Sequence, residues 1–183
     1  MSDSAEQPDW FENDELFLRE CAEGHRWERY IAGLLRREGF DADTPKQTLR
    51  EHVSEAPEYL EDSDVIVKLP SVDDQGNPWE RELSFEVKSR KVMFRTPRDF
   101  PYEHIFVDTV SGWDAKNPRP AAVICVSQFT HQVMVLSSGT QEHWGIEKRH
   151  DRLRGFTTDF YVAPRELWAP WGSFVRRLRK LSS

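Results

Sequence analysis

No apolar run in the 183 residues approaches the ~20 needed to cross a bilayer as a helix, so no membrane association is expected. The opening stretch, MSDSAEQPDWFENDE, has neither a basic n-region nor an apolar h-region. It does not read as a secretory signal, and a cytoplasmic location is expected. Cysteine is scarce: only Cys21 and Cys125 occur, one in a helical pattern and one inside the apolar run AAVICVS. Both read as small buried hydrophobes in a reducing compartment, with no disulfide or zinc framework. The histidines (His25, His52, His104, His131, His143, His150) never fall into H-E-x-x-H or another metal-ligand spacing, so a structural or surface role is expected for each. Repeats, heptads and low-complexity linkers are missing too.

What remains is a soluble globular composition, 38% hydrophobic and 31% charged, on a chain long enough for one domain with a sizeable core. The formal charge of −7 argues against a polyanionic partner only until its distribution is considered. Residues 1–15 hold Asp3, Glu6, Asp9, Glu12, Asp14 and Glu15 and no basic residue; without those six charges the remainder carries −1. Basic clusters at 88–98, 148–154 and 176–180 keep a nucleic-acid partner open. Residues 1–14 are therefore expected to be an acidic flexible tail, and 15–183 a single domain.

After the tail, DELFLRECAEGHRWERYIAGLLRREG has helical periodicity, with Gly39 as its stop. At 100° per residue Phe17, Cys21, Gly24, Trp27, Ile31, Leu34 and Leu35 share one sector, and Glu28 falls inside it. Residues 41–62 are polar and turn-rich. DVIVKL (64–69) and ELSFEVK (82–88) then read as strands joined by the turn formers PSVDDQGNPW, which predicts an antiparallel hairpin. A loop symmetric about Gln75 pairs residues whose numbers sum to 150, placing Asp64 opposite Glu86. On that register Val65, Val67, Leu69, Leu83, Phe85 and Val87 form an apolar side. Asp64, Ile66, Ser84, Glu86 and Lys88 form a charged one. Further strands are expected at 104–110, 121–129, 132–138 and 157–164. A closing helix interrupted near Pro170 is expected in RELWAPWGSFVRRLRK, packed through Trp168, Trp171, Phe174 and Leu178.

Two carboxylates facing each other on adjacent strands repel unless a proton or cation lies between them. Oxygen-only ligands of this kind suit Mg²⁺ or Mn²⁺, which keep several waters and accept phosphate oxygens. Lys88, two residues beyond Glu86 and on the same face, can polarise an attacking water or offset charge on a phosphoryl group. The alternative is an ordinary solvent-facing strand pair. Among the seven tryptophans, taken chiefly as packing residues, Trp113 is the candidate base-stacking platform. Tyr102 and Asp108 lie in a segment that could border the cleft.

Asp64, followed after a hairpin by Glu86-Val87-Lys88 and preceded by a helix carrying Glu28, resembles the PD-(D/E)XK nuclease superfamily over roughly residues 15–136. The resemblance implies an α/β, restriction-endonuclease-like fold, a mixed central sheet flanked by helices. It further implies Mg²⁺ (or Mn²⁺) on Asp64 and Glu86, Lys88 assisting the water, and Glu28 as an outer carboxylate, with Gln128 at an auxiliary polar position. The proline usual before the aspartate is Ser63 here, and Asp62 lies on the same side of the strand, so either aspartate could be the ligand. The expected function is a metal-dependent deoxyribonuclease of phage, mobile-element or repair type, with Arg90, Lys91, Arg95 and Arg98 contacting DNA phosphates. The alternatives are a non-catalytic nucleic-acid-binding or assembly module and a dimeric Holliday-junction resolvase. Correspondingly, the chain could act as a homodimer or as a subunit of a larger nucleic-acid-processing complex.

Overall fold

A computed structural model describes residues 10–45, 63–151 and 156–182. In chain order the elements are α1 (Trp10–Arg37), β1 (Asp41–Asp43), β2 (Val65–Val72), β3 (Pro78–Arg90), β4 (His104–Thr109), α2 (Val110–Ala115), β5 (Ala122–Ser127), β6 (Val133–Ser137), β7 (Gly145–Asp151), β8 (Phe156–Pro164), β9 (Trp168–Pro170) and α3 (Trp171–Leu181). The chain is α/β, with a mixed six-stranded sheet in the order β1-β2-β3-β5-β6-β9 and a three-stranded sheet in the order β4-β8-β7. Among the described residues no helix is long and apolar enough to cross a membrane.

The apolar sector of α1 is its buried face: Trp27, Ile31, Ala32 and Leu35 are all buried. Gly39, at φ +92°, ends the helix. Its N–H donates to the Arg36 carbonyl and the Phe40 N–H to the Leu35 carbonyl, a left-handed cap that glycine reaches without strain. The helix begins at Trp10, inside the 1–14 segment expected as a tail; residues 1–9 lie outside the described residues.

The hairpin keeps the register expected from its turn, from Val65 opposite Phe85 to Val72 opposite Pro78. Asp73 sets that turn, its carboxylate accepting the N–H groups of Gln75 and Asn77, while Gly76 supplies the positive φ of +82°. β3 then runs parallel to β5. Parallel neighbours cannot be joined by a tight turn, so the chain must cross over a face of the sheet. Residues 91–121 make that crossing, and they contain β4 and α2.

Each face of the six-stranded sheet consequently has its own core. Val65, Val67, Phe85, Ile124, Val126, Val133 and Val135 pack with Trp27, Ile31 and Leu35 of α1 and Phe174 and Leu178 of α3. On the other face Val123, Cys125, Met134 and Leu136 pack with Ile105 and Val107 of β4, Trp113 of α2 and Ala163 of β8. Glu86 and Lys88 are in register with Val123 and Cys125. The charged side of the hairpin therefore lies beneath the crossover, where a strand pair facing open solvent was the alternative.

Two sequence expectations change. The closing helix was expected from 165, but Arg165–Leu167 is a 3-10 turn, Trp168–Pro170 an edge strand on β6, and α3 begins at Trp171. A proline lacks the N–H a helix interior needs and holds the residue before it extended, so Trp168 is buried from a strand instead. Strands β1 and β7 fall where no strand was expected. One is only three residues long, and the other, GIEKRHD, lies at the edge of its sheet with mostly polar side chains.

Candidate active site

Asp64 directly precedes β2, one residue before the pair Val65 and Phe85, and so stands across from Glu86. Its carboxylate reaches over the hairpin to accept the Val87 N–H at 2.7 Å. Glu86 itself is 5% exposed. A carboxylate that buried is costly unless cations meet it, and two do: Lys88 Nζ lies 2.6 Å from Oε1 and Lys116 Nζ 2.7 Å from Oε2. Both ammonium groups also face Asp108, at 3.4 Å from Lys88 and 3.8 Å from Lys116.

The crossover delivers the second half of this cluster. A bulge between Phe106 and Asp108 shifts the pairing of β4 on β8, the kind of irregularity that re-aims a side chain. Asp108 follows it. Thr109 then caps α2, its hydroxyl accepting the Gly112 N–H at 3.1 Å. The helix lasts only as far as Ala115, and Lys116 caps its C-terminal end.

Glu28, from α1, is 8% exposed, with His25 Nδ1 3.1 Å from its Oε2. Its charge is close enough to disfavour ionisation of Asp64. The electrostatics of the cluster are uneven. Burial pushes Glu86 up, but Lys88 and Lys116 outweigh it and hold the carboxyl at about 2. Burial also works against the charge on Lys88, yet Asp108, Glu86 and Asp64 together raise its pKa above the ordinary lysine value. Asp64 goes the other way: burial and then Glu86 lift its pKa well above the usual carboxylate range, with Lys88 offsetting only part. Three carboxylates (Asp64, Glu86, Asp108) thus act on the two ammonium groups, and Glu28 adds its negative charge beside Asp64. The deficit of positive charge falls at Asp64.

Among the described residues no three His, Cys, Asp or Glu side chains converge as a ready-made metal cage. Two carboxylates with waters and substrate oxygens suffice for Mg²⁺, however, and the donor chemistry of Asp64 and Glu86, with a charge deficit at Asp64, fits such an ion. Asp62 lies outside the described residues.

Gln128 is tied to Ser89, its Nε2 donating to the hydroxyl at 3.0 Å; Ser89 alternates with Lys88 and lies on the opposite face of β3. Arg90 turns inward and donates to the Phe106 carbonyl at 2.9 Å, bracing β3 against β4. Lys91, Arg95 and Arg98 are exposed. Tyr102 is exposed and packs on Phe100. Trp113 is not a stacking platform: it is 0% exposed, its ring lies on Trp144, and its Nε1 donates to Gln141.

Lys116 is the site residue that sequence reasoning missed. It stands 30 positions from Glu86, at the end of a six-residue helix, where a lysine is a commonplace partner for the helix dipole. No local pattern marks it. No protein-family model, curated protein or solved structure matches the chain.

Proposed function

We propose that this protein is a metal-dependent deoxyribonuclease of the PD-(D/E)XK type, with the restriction-endonuclease-like fold. The observation that carries this reading is the hairpin register, which sets Asp64 across from Glu86 with Lys88 on the same face. Asp64 and Glu86 would hold a Mg²⁺ or Mn²⁺ ion, which lowers the pKa of a bound water and neutralises charge on the scissile phosphate.

The chain's own residues supply the rest. Lys88 stays protonated, because Asp108, Glu86 and Asp64 raise its pKa, so it does not act as a general base. It orients the water and offsets charge developing on the phosphoryl oxygens as a fixed cation. The water oxygen bonds to phosphorus and gives up a proton to solvent, one ester P–O bond breaks, and the departing oxygen takes a proton from solvent. Asp108 holds Lys88 from the crossover side at 3.4 Å, fixing the direction of its ammonium. Glu28 adds negative charge beside Asp64, which favours a cation there. Lys91, Arg95 and Arg98, exposed on the segment leaving β3, would meet the DNA backbone.

The test is hydrolysis of plasmid and linear DNA by the wild type and by Glu86→Ala and Lys88→Ala. Cleavage is expected only with Mg²⁺ or Mn²⁺, and each substitution is expected to abolish it while circular dichroism stays that of the folded protein. Full activity in EDTA, or in both variants, refutes the reading.

A further inference from the structure

Glu86 has two carboxylate oxygens, and each already holds an ammonium group: Lys88 on Oε1 at 2.6 Å and Lys116 on Oε2 at 2.7 Å. A divalent ion shared between Asp64 and Glu86 needs one of those oxygens. An ammonium and a divalent cation on the same oxygen repel each other strongly in so enclosed a place. One lysine must therefore give way.

The geometry says which. Lys88 springs from β3 itself and is held by Glu86, by Asp108 at 3.4 Å and by the field of Asp64. Lys116 arrives from outside the main sheet, at the end of the short helix α2 in the crossover. Its Nζ is 3.8 Å from Asp108 Oδ2, the oxygen that Lys88 approaches to 3.4 Å, so Asp108 holds Lys116 less closely than it holds Lys88. Lys116 also has a purpose before any metal arrives, because a buried Glu86 holding one cation would keep part of its desolvation cost uncompensated.

We propose that Lys116 is a displaceable resident cation, occupying the Glu86 oxygen that a divalent ion takes and leaving it when the ion binds. This rests on Asp64 and Glu86 being a metal site. Lys116 thus acts on the chemistry through Glu86, as a positioning residue, and it stabilises the metal-free protein at the expense of metal affinity.

The test is calorimetric titration of the full chain with Mn²⁺ at one pH and ionic strength, for wild type, Lys116→Met and Lys116→Arg. Methionine keeps much of the stem and removes the charge. Lys116→Met should bind Mn²⁺ about tenfold more tightly, the size expected from removing one competing unit charge, and should unfold at a lower temperature in EDTA. Lys116→Arg keeps the charge and should stay within about twofold of wild type. If the methionine variant does not fold, Lys116→Gln, also neutral, should show the same rise. A lysine that only props up the structure predicts unchanged or weaker Mn²⁺ binding in the neutral variant. That result, with Mn²⁺ still binding to wild type, overturns the displacement and leaves the metal site standing. Absence of Mn²⁺ binding from wild type and the neutral variant alike overturns both.

Discussion

A carboxylate as buried as Glu86 stays ionised only while cations meet its oxygens, and the neighbouring Asp64 shows what happens without enough of them. Burial and Glu86 together lift its pKa, so its charge is a strain on the metal-free fold. Asparagine at position 64 removes that charge and can still accept the Val87 N–H. Asp64→Asn is therefore expected to leave metal-free stability unchanged or raise it by up to about 1 kcal/mol, while abolishing Mn²⁺ binding. Thermal unfolding in EDTA and calorimetry check the two halves; a less stable variant that still binds Mn²⁺ would contradict them. Cys125 makes a simpler case. It is 1% exposed, and burial pushes its thiol to about 12 despite the nearby Arg90. It should resist alkylation in the native protein and react only on unfolding, a difference that mass spectrometry of quenched samples reads directly. Asp64, Glu86 and Lys88 were legible from the sequence because each follows from one strand's alternation and one turn. Asp108 was legible only as part of a segment that could border the cleft; Lys116 reaches Glu86 only through the crossover, and a contact made by the path of thirty residues leaves no local trace.

Elements differ in how much of their structure is decided locally. The β2–β3 hairpin is decided almost wholly so: Asp73, Gly76 and Asn77 make the turn, and the alternation of Val65, Val67, Leu83 and Phe85 permits a single register with the apolar side inward. The start of α3 differs from the expectation because Trp168 suits an apolar helix face, whereas Pro170 decides the backbone. Helix α2 depends on a close fit. A Cβ on Gly112 would come within 2.6 Å of the Thr109 hydroxyl that caps the helix. Gly112→Ala should thus cost about 1–2 kcal/mol and Thr109→Ala about 1 kcal/mol, both through loss of the same cap. Because they remove one interaction, the double variant should lose clearly less than the sum of the two. Denaturant titrations of the four proteins make the cycle, and full additivity would mean that Gly112 is needed for a reason other than the cap.

At the scale of the molecule, the main sheet separates two basic surfaces. Helix α3, with exposed Arg176 and Arg177, packs on the Phe85 face. The segment carrying Lys91, Arg95 and Arg98 packs through Val92, Phe94 and Phe100 on the other face, with the crossover that covers Glu86. If the proposed nuclease activity holds, DNA should lie along the second surface. Replacing Lys91, Arg95 or Arg98 with alanine should weaken DNA binding to a similar degree for unrelated sequences, and each lost phosphate contact should flatten the log–log salt slope by about 0.9. Charge reversal at Arg176 and Arg177 is the control; a larger loss there, measured by fluorescence anisotropy across a salt series, would put the DNA along α3. Arg90→Ala should behave differently, lowering thermal stability through the lost bond to the Phe106 carbonyl.

The proposed activity depends on Asp64 and Glu86 sharing a divalent cation. Anomalous diffraction from a Mn²⁺-soaked crystal tests it most directly. The expected result is a peak about 2.1 Å from one oxygen of each carboxylate, with the Lys116 ammonium moved off Glu86. A saturated soak showing no peak between Asp64 and Glu86, with both lysines still on Glu86, would contradict it.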